Sequence, residues 1–247
     1  MKHDVVYILK NDYASEELRY SVRSVVQNFP HNRIIFVGGK PDYMTADIQI
    51  FDNQVGGTKW ERSTHSLKLI LENEDITEDF WLFNDDFFIM NKVEPTMNFF
   101  GGTLEKRIIE LRAAFGNTSA YCRGLERTRA ELLNREKDAL SFALHVPMLI
   151  NRTKALRLFN EVPSPIMFRS YYGNYFEVPC QYMKDVKVRD LESVPGSDYL
   201  STTDGAFKDG KVGEFIRASF PDPCDYEKDI PLKELYTEEG EERYDRS

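Results

Sequence analysis

Residues 80–89 read Phe80-Trp81-Leu82-Phe83-Asn84-Asp85-Asp86-Phe87-Phe88-Ile89, two apolar runs around an amide and two carboxylates. Short continuous apolar runs of this kind are the pattern of strands buried on both faces. An acidic pair between them is costly to bury unless a cation lies close by. Upstream, Val5-Val6-Tyr7-Ile8-Leu9 is another such run, Ile34-Ile35-Phe36-Val37 a second, stopped by Gly38-Gly39, and Ile48-Gln49-Ile50-Phe51 a weaker third. Between the first two, Ser15 is an N-cap for a helix carrying Leu18, Val22, Val25 and Val26 at helical spacing, closed by Pro30. Residues 63–72 read as a further helix. Strands alternating with helices predict an α/β fold with a mostly parallel sheet flanked by helices. Ligands in such sheets bind at the carboxyl ends of strands, which is where the acidic pair falls.

The chain has 247 residues, 41 of them acidic and 32 basic, for a formal charge of −9. That balance argues against a nucleic-acid surface, yet leaves room for a local pocket binding one or two phosphates. Cys122, Cys180 and Cys224 are far apart and form no CxxC, which sets aside a disulfide framework and argues against a zinc site. No apolar stretch reaches the roughly 18 residues of a membrane span, and Val5 to Leu9 is too short for a signal-peptide core. The expectation is a soluble cytoplasmic protein. Residues 104–112 and 124–140 are charge-rich with scattered leucines, giving a helical or flexible insertion at about 104–140 within a domain of residues 1–227. Residues 163–183, with Pro163, Pro165, Pro179 and six aromatics, are expected to be irregular and site-forming. Residues 228–247 read as an acidic, solvated, partly disordered tail.

Asp85 and Asp86, with Asn84 beside them, suit a hard divalent cation shared with substrate phosphates. The structural alternative is a capped turn or a salt bridge to an arginine. His145, between Phe142-Ala143-Leu144 and Val146-Pro147, is expected at a strand end, as a general acid or base, a phosphate cation, or a structural histidine. His65 reads as a surface or packing residue. Arg169, among aromatics, is a candidate phosphate clamp, or else a cation–π or ion-pair partner. Arg19 and Arg23 share a helix face and could meet donor phosphates, with one of them expected to be solvated. Lys59 and Arg62, before the second helix, are further candidates for a diphosphate. Asp204-Gly205 reads most simply as a turn, with a functional aspartate as the alternative. Gly38-Gly39 and Gly56-Gly57 do not make a dinucleotide fingerprint, and there is no P-loop.

Four stretches, in order, resemble the Stealth family of sugar-1-phosphate transferases, which includes bacterial capsule polymerases and the catalytic subunits of N-acetylglucosamine-1-phosphotransferase. They are Asp4-Val5-Val6-Tyr7; Glu17-Leu18-Arg19-Tyr20-Ser21-Val22-Arg23-Ser24 with Arg33-Ile34-Ile35-Phe36-Val37 and Phe83-Asn84-Asp85-Asp86; His145-Val146-Pro147-Met148-Leu149-Ile150 with Phe168-Arg169-Ser170; and Leu200-Ser201-Thr202-Thr203-Asp204 with Phe220-Pro221-Asp222-Pro223-Cys224-Asp225-Tyr226-Glu227. The resemblance implies a glycosyltransferase-A-like Rossmann core, a nucleotide-sugar donor, a glycan-type acceptor, and Mg²⁺ or Mn²⁺. By position it assigns Asp85 and Asp86 to metal and diphosphate, Asn84 beside them, His145 to acid–base or phosphate work and Arg169 to phosphate. The chain departs from the family where Ile8-Leu9-Lys10-Asn11-Asp12 follows the first strand, at Arg62-Ser63-Thr64-His65-Ser66-Leu67-Lys68, and at Thr203-Asp204. Two activities stay open: transfer of a sugar 1-phosphate with release of a nucleoside monophosphate, and transfer of the sugar itself with release of a nucleoside diphosphate. A catalytically silent sugar-binding protein is a third reading, from another class.

Overall fold

A computed structural model describes residues 2–10, 15–39, 41–53, 59–115, 119–162 and 167–228. Gly56-Gly57 and the acidic tail from residue 229 lie outside the described residues. In chain order the elements are β1 (His3–Leu9), α1 (Glu16–Asn28), β2 (His31–Gly38), β3 (Ile48–Ile50), α2 (Lys59–Glu72), β4 (Asp79–Phe83), β5 (Phe87–Ile89), β6 (Asn98–Phe100), α3 (Leu104–Phe115), α4 (Ala120–Asn134), β7 (Met148–Asn151), α5 (Arg152–Glu161), α6 (Phe168–Tyr175), β8 (Cys180–Tyr182), β9 (Lys187–Val188), β10 (Tyr199–Thr202), α7 (Asp204–Asp209) and α8 (Lys211–Ser219).

The central sheet has the order β3-β2-β1-β4-β7. Its first four strands are parallel and only β7 is antiparallel. The strand alternation of side chains sorts β1 between two cores. Val5, Tyr7 and Leu9 pack with Leu18, Val22 and Val25 of α1. Val6 packs with Ile35 and Val37, against Leu67, Ile70 and Leu71 of α2 and Ala155 and Leu158 of α5. Both faces of the sheet are therefore covered, which is why these strands read as unbroken apolar runs. Full burial of each large aliphatic side chain contributes about 1.5–3 kcal/mol. Helix α1 begins where Ser15 accepts a hydrogen bond from the Leu18 backbone N–H at 3.4 Å, with Glu16 and Glu17 at its positive end. It stops before Pro30, which has no N–H to continue it. At the amino end of β1, Asp4 is fully buried and paired with Arg33 at 2.7 Å, which anchors the base of the sheet.

Going outward from β1, the chain places β2 and β3 on one side and β4 on the other. The reversal between β1 and β4 opens a crevice at their carboxyl ends. Tyr7 and Phe83 are partners in the ladder there, so Asn84, Asp85 and Asp86 leave the sheet at the switch point. The chain then enters a second sheet of order β5-β10-β9, backed by α7 and α8 through Phe88, Val188, Leu200, Phe207 and Ile216. Within the stretch at 104–140, α3 and α4 pack on each other around Leu104, Ile108, Cys122, Leu125 and Leu132.

Three sequence expectations are corrected. Residues 163–183 are not irregular throughout, because they contain α6 and β8, while 163–166 lie outside the described residues. Asp204-Gly205 begins α7 instead of a turn, with Thr203 capping it through the Ala206 backbone N–H. His145 lies in a bend ahead of β7 and not at a strand end, since Pro147 has no N–H for a ladder. Among the described residues, no helix is long and apolar enough to cross a membrane.

Candidate active site

The crevice at the β1/β4 switch point is walled by three pieces of chain. The first is the turn after β4. Asp86 is almost fully buried, and its Oδ2 accepts hydrogen bonds from Lys187 Nζ at 2.5 Å and Ser201 Oγ at 2.9 Å. The register explains both contacts: Ser201 pairs with Phe87 on β5 and with Lys187 on β9, so the two donors stand side by side above Asp86. Asp85 is half-buried, and Asn84 is exposed.

The second piece is the segment Asp185-Val186-Lys187-Val188-Arg189. Val186 and Val188 turn into the hydrophobic cores. Alternation then sets Asp185, Lys187 and Arg189 on the opposite face. Asp185 receives His145: the imidazole Nδ1 lies 2.9 Å from Oδ1 and 3.0 Å from Oδ2, and the His145 backbone N–H donates to Oδ1 at 3.2 Å. Burial acts to raise the Asp185 carboxyl, but the hydrogen bonds from His145 and the nearby Arg189 outweigh it and hold it at about 2. Asp185 is thus ionised at neutral pH and can only accept, which requires the proton on Nδ1. In the neutral form of the ring Nε2 would carry the lone pair, and it makes no hydrogen bond among the described residues. The edge of the His145 ring meets Phe87 at a centroid distance of 6.5 Å.

The third piece is the start of α6. Arg169 donates from Nη2 to the Val146 carbonyl, and its guanidinium carbon sits 5.8 Å from the Phe87 ring centroid. Its Nε is buried with no hydrogen-bond partner. Burial pushes this guanidinium down to about 10, and Tyr121, Asp86 and Asp185 oppose that shift only through space. Tyr121 belongs to α4, so the helical insertion reaches the rim of the crevice. The buried guanidinium therefore keeps one donor without a hydrogen-bond partner.

On α1, Glu17 is buried and accepts from Thr202 Oγ1 at 2.6 Å. Burial, with added repulsion from Asp85, Asp86 and Asp204, pushes its carboxyl up to about 8 against the Thr202 hydrogen bond. Asp204 itself is exposed at the start of α7.

The remaining candidates sit elsewhere. Both Arg19 and Arg23 are buried, so neither is solvated as one of them was expected to be. Arg23 grips Glu227 through Nε at 2.6 Å and Nη2 at 2.8 Å, and donates Nη1 to the Phe220 carbonyl at 2.8 Å. Arg19 Nε lies 3.2 Å from the same carboxylate, with the guanidinium over Tyr43. These two arginines clamp the 220–227 segment onto α1. Lys59 opens α2, and its side chain lies outside the described residues. His65 is not a plain surface residue: Nδ1 meets the buried Asp52 at 2.7 Å.

Asp85 and Asp86 both supply hard carboxylate oxygens, which suit Mg²⁺ or Mn²⁺ rather than a softer metal. Among the described residues no cluster of three or more ligating side chains is present, so substrate oxygens and water would complete the shell, the usual arrangement for Mg²⁺. The charge balance points the same way. Lys187 pairs with Asp86, Arg169 acts on Asp86 and Asp185 through space, and Arg189 lies 3.6 Å from Asp185, so these cations are already engaged and a diphosphate would add negative charge. The pair fits the cation.

No family model matches the chain, and no curated protein matches it. Among solved structures, the glycosyltransferase GlyE of Streptococcus pneumoniae TIGR4 aligns over 74% of this chain at 11% identity and a TM-score of 0.36. Its apo form aligns over 73% at 12% identity and a TM-score of 0.34. This chain spans 45% of the length of each of those two. An active-site mutant of LgtC aligns over 85% of this chain and 83% of its own, at 10% identity and a TM-score of 0.41.

Proposed function

We propose that the chain is a nucleotide-sugar-dependent transferase with a glycosyltransferase-A-like core, which moves a sugar 1-phosphate from a nucleoside diphosphate-sugar to a glycan hydroxyl. The observation that carries this reading is the buried Arg169, with an unused Nε and no carboxylate hydrogen-bonded to it among the described residues. Asp86 and Asp185, the latter holding His145, lie close enough to act on it through space.

His145 Nε2, its tautomer fixed by Asp185, takes the proton of the acceptor hydroxyl. The acceptor oxygen bonds to the sugar-linked phosphorus, the bond from that phosphorus to the bridging oxygen breaks, and nucleoside monophosphate leaves. Arg169 neutralises charge on the transferred phosphoryl group, since positioning and electrostatics dominate this chemistry. Asp85 and Asp86 would hold Mg²⁺ or Mn²⁺, which would supply neutralising charge for the donor diphosphate. Asn84, exposed at the turn, and Asp204, at the start of α7, line the donor side.

Turnover of a panel of nucleotide sugars with Mn²⁺ and glycan acceptors tests this reading. His145→Ala should lower turnover by about 10²–10⁴ in protein that still unfolds cooperatively, and Asp86→Ala should abolish it. Donor turnover that survives both changes, or no turnover with any nucleotide sugar, would point to the catalytically silent sugar-binding protein.

A further inference from the structure

Lys187 already occupies one carboxylate oxygen of Asp86. Its ammonium lies 2.5 Å from Oδ2, the oxygen that Ser201 also engages at 2.9 Å. The lysine side chain is only 16% exposed, so water screens this pair weakly. A divalent ion and an ammonium cannot both sit in contact with one carboxylate oxygen, because their mutual repulsion is strongest at that separation. Lysine suits an exchange of partners. It is a compact charge on a flexible stem, able to swing between acceptors without a fixed hydrogen-bonding plane. Its neighbours leave it few other acceptors: Asp185, two residues earlier, is engaged by His145 and Arg189, and Glu17 is held by Thr202.

We propose that Lys187 is a resident counter-ion that competes with the divalent cation for Asp86, so that the protein without its donor binds metal poorly. Asp86 stays neutralised and in place while the crevice is empty. The inference rests on the nucleotide-sugar reading for what relieves the competition: the donor diphosphate offers the ammonium new oxygens, and the cation then enters Asp86 together with the nucleotide. Lys187 is a positioning residue in this account, acting through Asp86.

The test is Mn²⁺ binding to the full chain, read from the electron paramagnetic resonance signal of the free ion. Wild type is compared with Lys187→Met, Lys187→Gln and Lys187→Arg. Loss of the ammonium should tighten Mn²⁺ binding by about tenfold or more in either neutral variant, while Lys187→Arg stays as weak as wild type. Adding Asp86→Asn to Lys187→Met should remove the gain. Two neutral variants guard against one failing to fold, and a thermal melt checks each. Unchanged or weaker Mn²⁺ binding in folded Lys187→Met or Lys187→Gln would overturn the competition. UDP serves as the nucleotide probe and should raise wild-type affinity towards that of the neutral variants. If the neutral variants gain affinity but UDP leaves wild type unmoved, the competition stands and the nucleotide reading of the site fails.

Discussion

Replacing Glu17 by Gln should stabilise the protein, relative to wild type, progressively as pH rises from 4.5 to about 8. Glu17 is buried, and its carboxyl is raised from 4.5 to about 8 by burial and by Asp85, Asp86 and Asp204. In the unfolded chain it titrates near 4.5, so between 4.5 and about 8 the folded state holds a proton that the unfolded state has released. The raised value makes stability complete below 4.5, with progressive loss as pH rises to about 8. The slope is about 1.4 kcal/mol per pH unit, and the loss accumulates to about 4 kcal/mol by pH 8. Gln mimics the protonated acid, keeps an acceptor for Thr202 Oγ1, and does not titrate. Urea unfolding followed by the fluorescence of the buried Trp81, at pH 5.5, 6.5 and 7.5, gives the stability difference between wild type and Glu17→Gln. That difference should grow in favour of the variant at each step. Parallel curves for the two proteins would mean that Glu17 is ionised in the fold, and would refute the description of the carboxylate cluster.

Other perturbations separate site from scaffold. Asp185→Asn leaves the imidazole in place but replaces the acceptor-only carboxylate with an amide whose NH₂ can donate to Nδ1, so the tautomer is no longer fixed and kcat should fall by about 10²–10⁴. The same variant should lose about 2 kcal/mol of stability at pH 7, because Asp185 titrates at about 2 in the fold against 3.8 unfolded. In wild type that contribution is complete above 3.8 and lost as pH falls through about 2, which an acid-denaturation profile of the pair would show. Arg169→Met should abolish turnover yet raise Tm by a few degrees, since a poorly compensated buried cation becomes an apolar side chain worth about 1 kcal/mol more to the fold. Glu227→Ala should cost about 3–5 kcal/mol in urea unfolding, because it strands Arg19 and Arg23 as buried charges. An unchanged midpoint would show that the clamp on α1 is not structural.

Local pattern was enough for the architecture. The runs at 5–9, 34–37, 48–51 and 80–83 fall on β1 to β4 because strands covered on both faces must be apolar throughout. The acidic pair falls at the switch point because only there can a carboxylate leave the sheet without entering a core. Helix α6 also carries a local period, with Phe168, Tyr171, Tyr172, Tyr175 and Phe176 recurring at helical spacing, although the surrounding prolines favour a loop on composition alone. The partners in the structural clamp and in the site were hidden by distance along the chain. Arg23 meets Glu227 across 204 positions, and Lys187 meets Asp86 across 101. No local period encodes such pairings. Asp185, Lys187 and Arg189 did leave a signal, the alternation with Val186 and Val188. It is only five residues long, and β9 spans just Lys187–Val188, so it resembled ordinary surface charge. Glu17 looked like a first-turn helix acid, and only the pairing of β10 with β5 brings Thr202 over it.

The central claim is attack at phosphorus by an acceptor oxygen deprotonated at His145. Chromatography of the nucleotide released from UDP-sugars during acceptor-dependent turnover tests it most directly. The account predicts UMP, formed in proportion to a phosphodiester-linked sugar and lost with His145→Ala. Release of UDP with transfer of the bare sugar would contradict it and identify attack at the anomeric carbon instead.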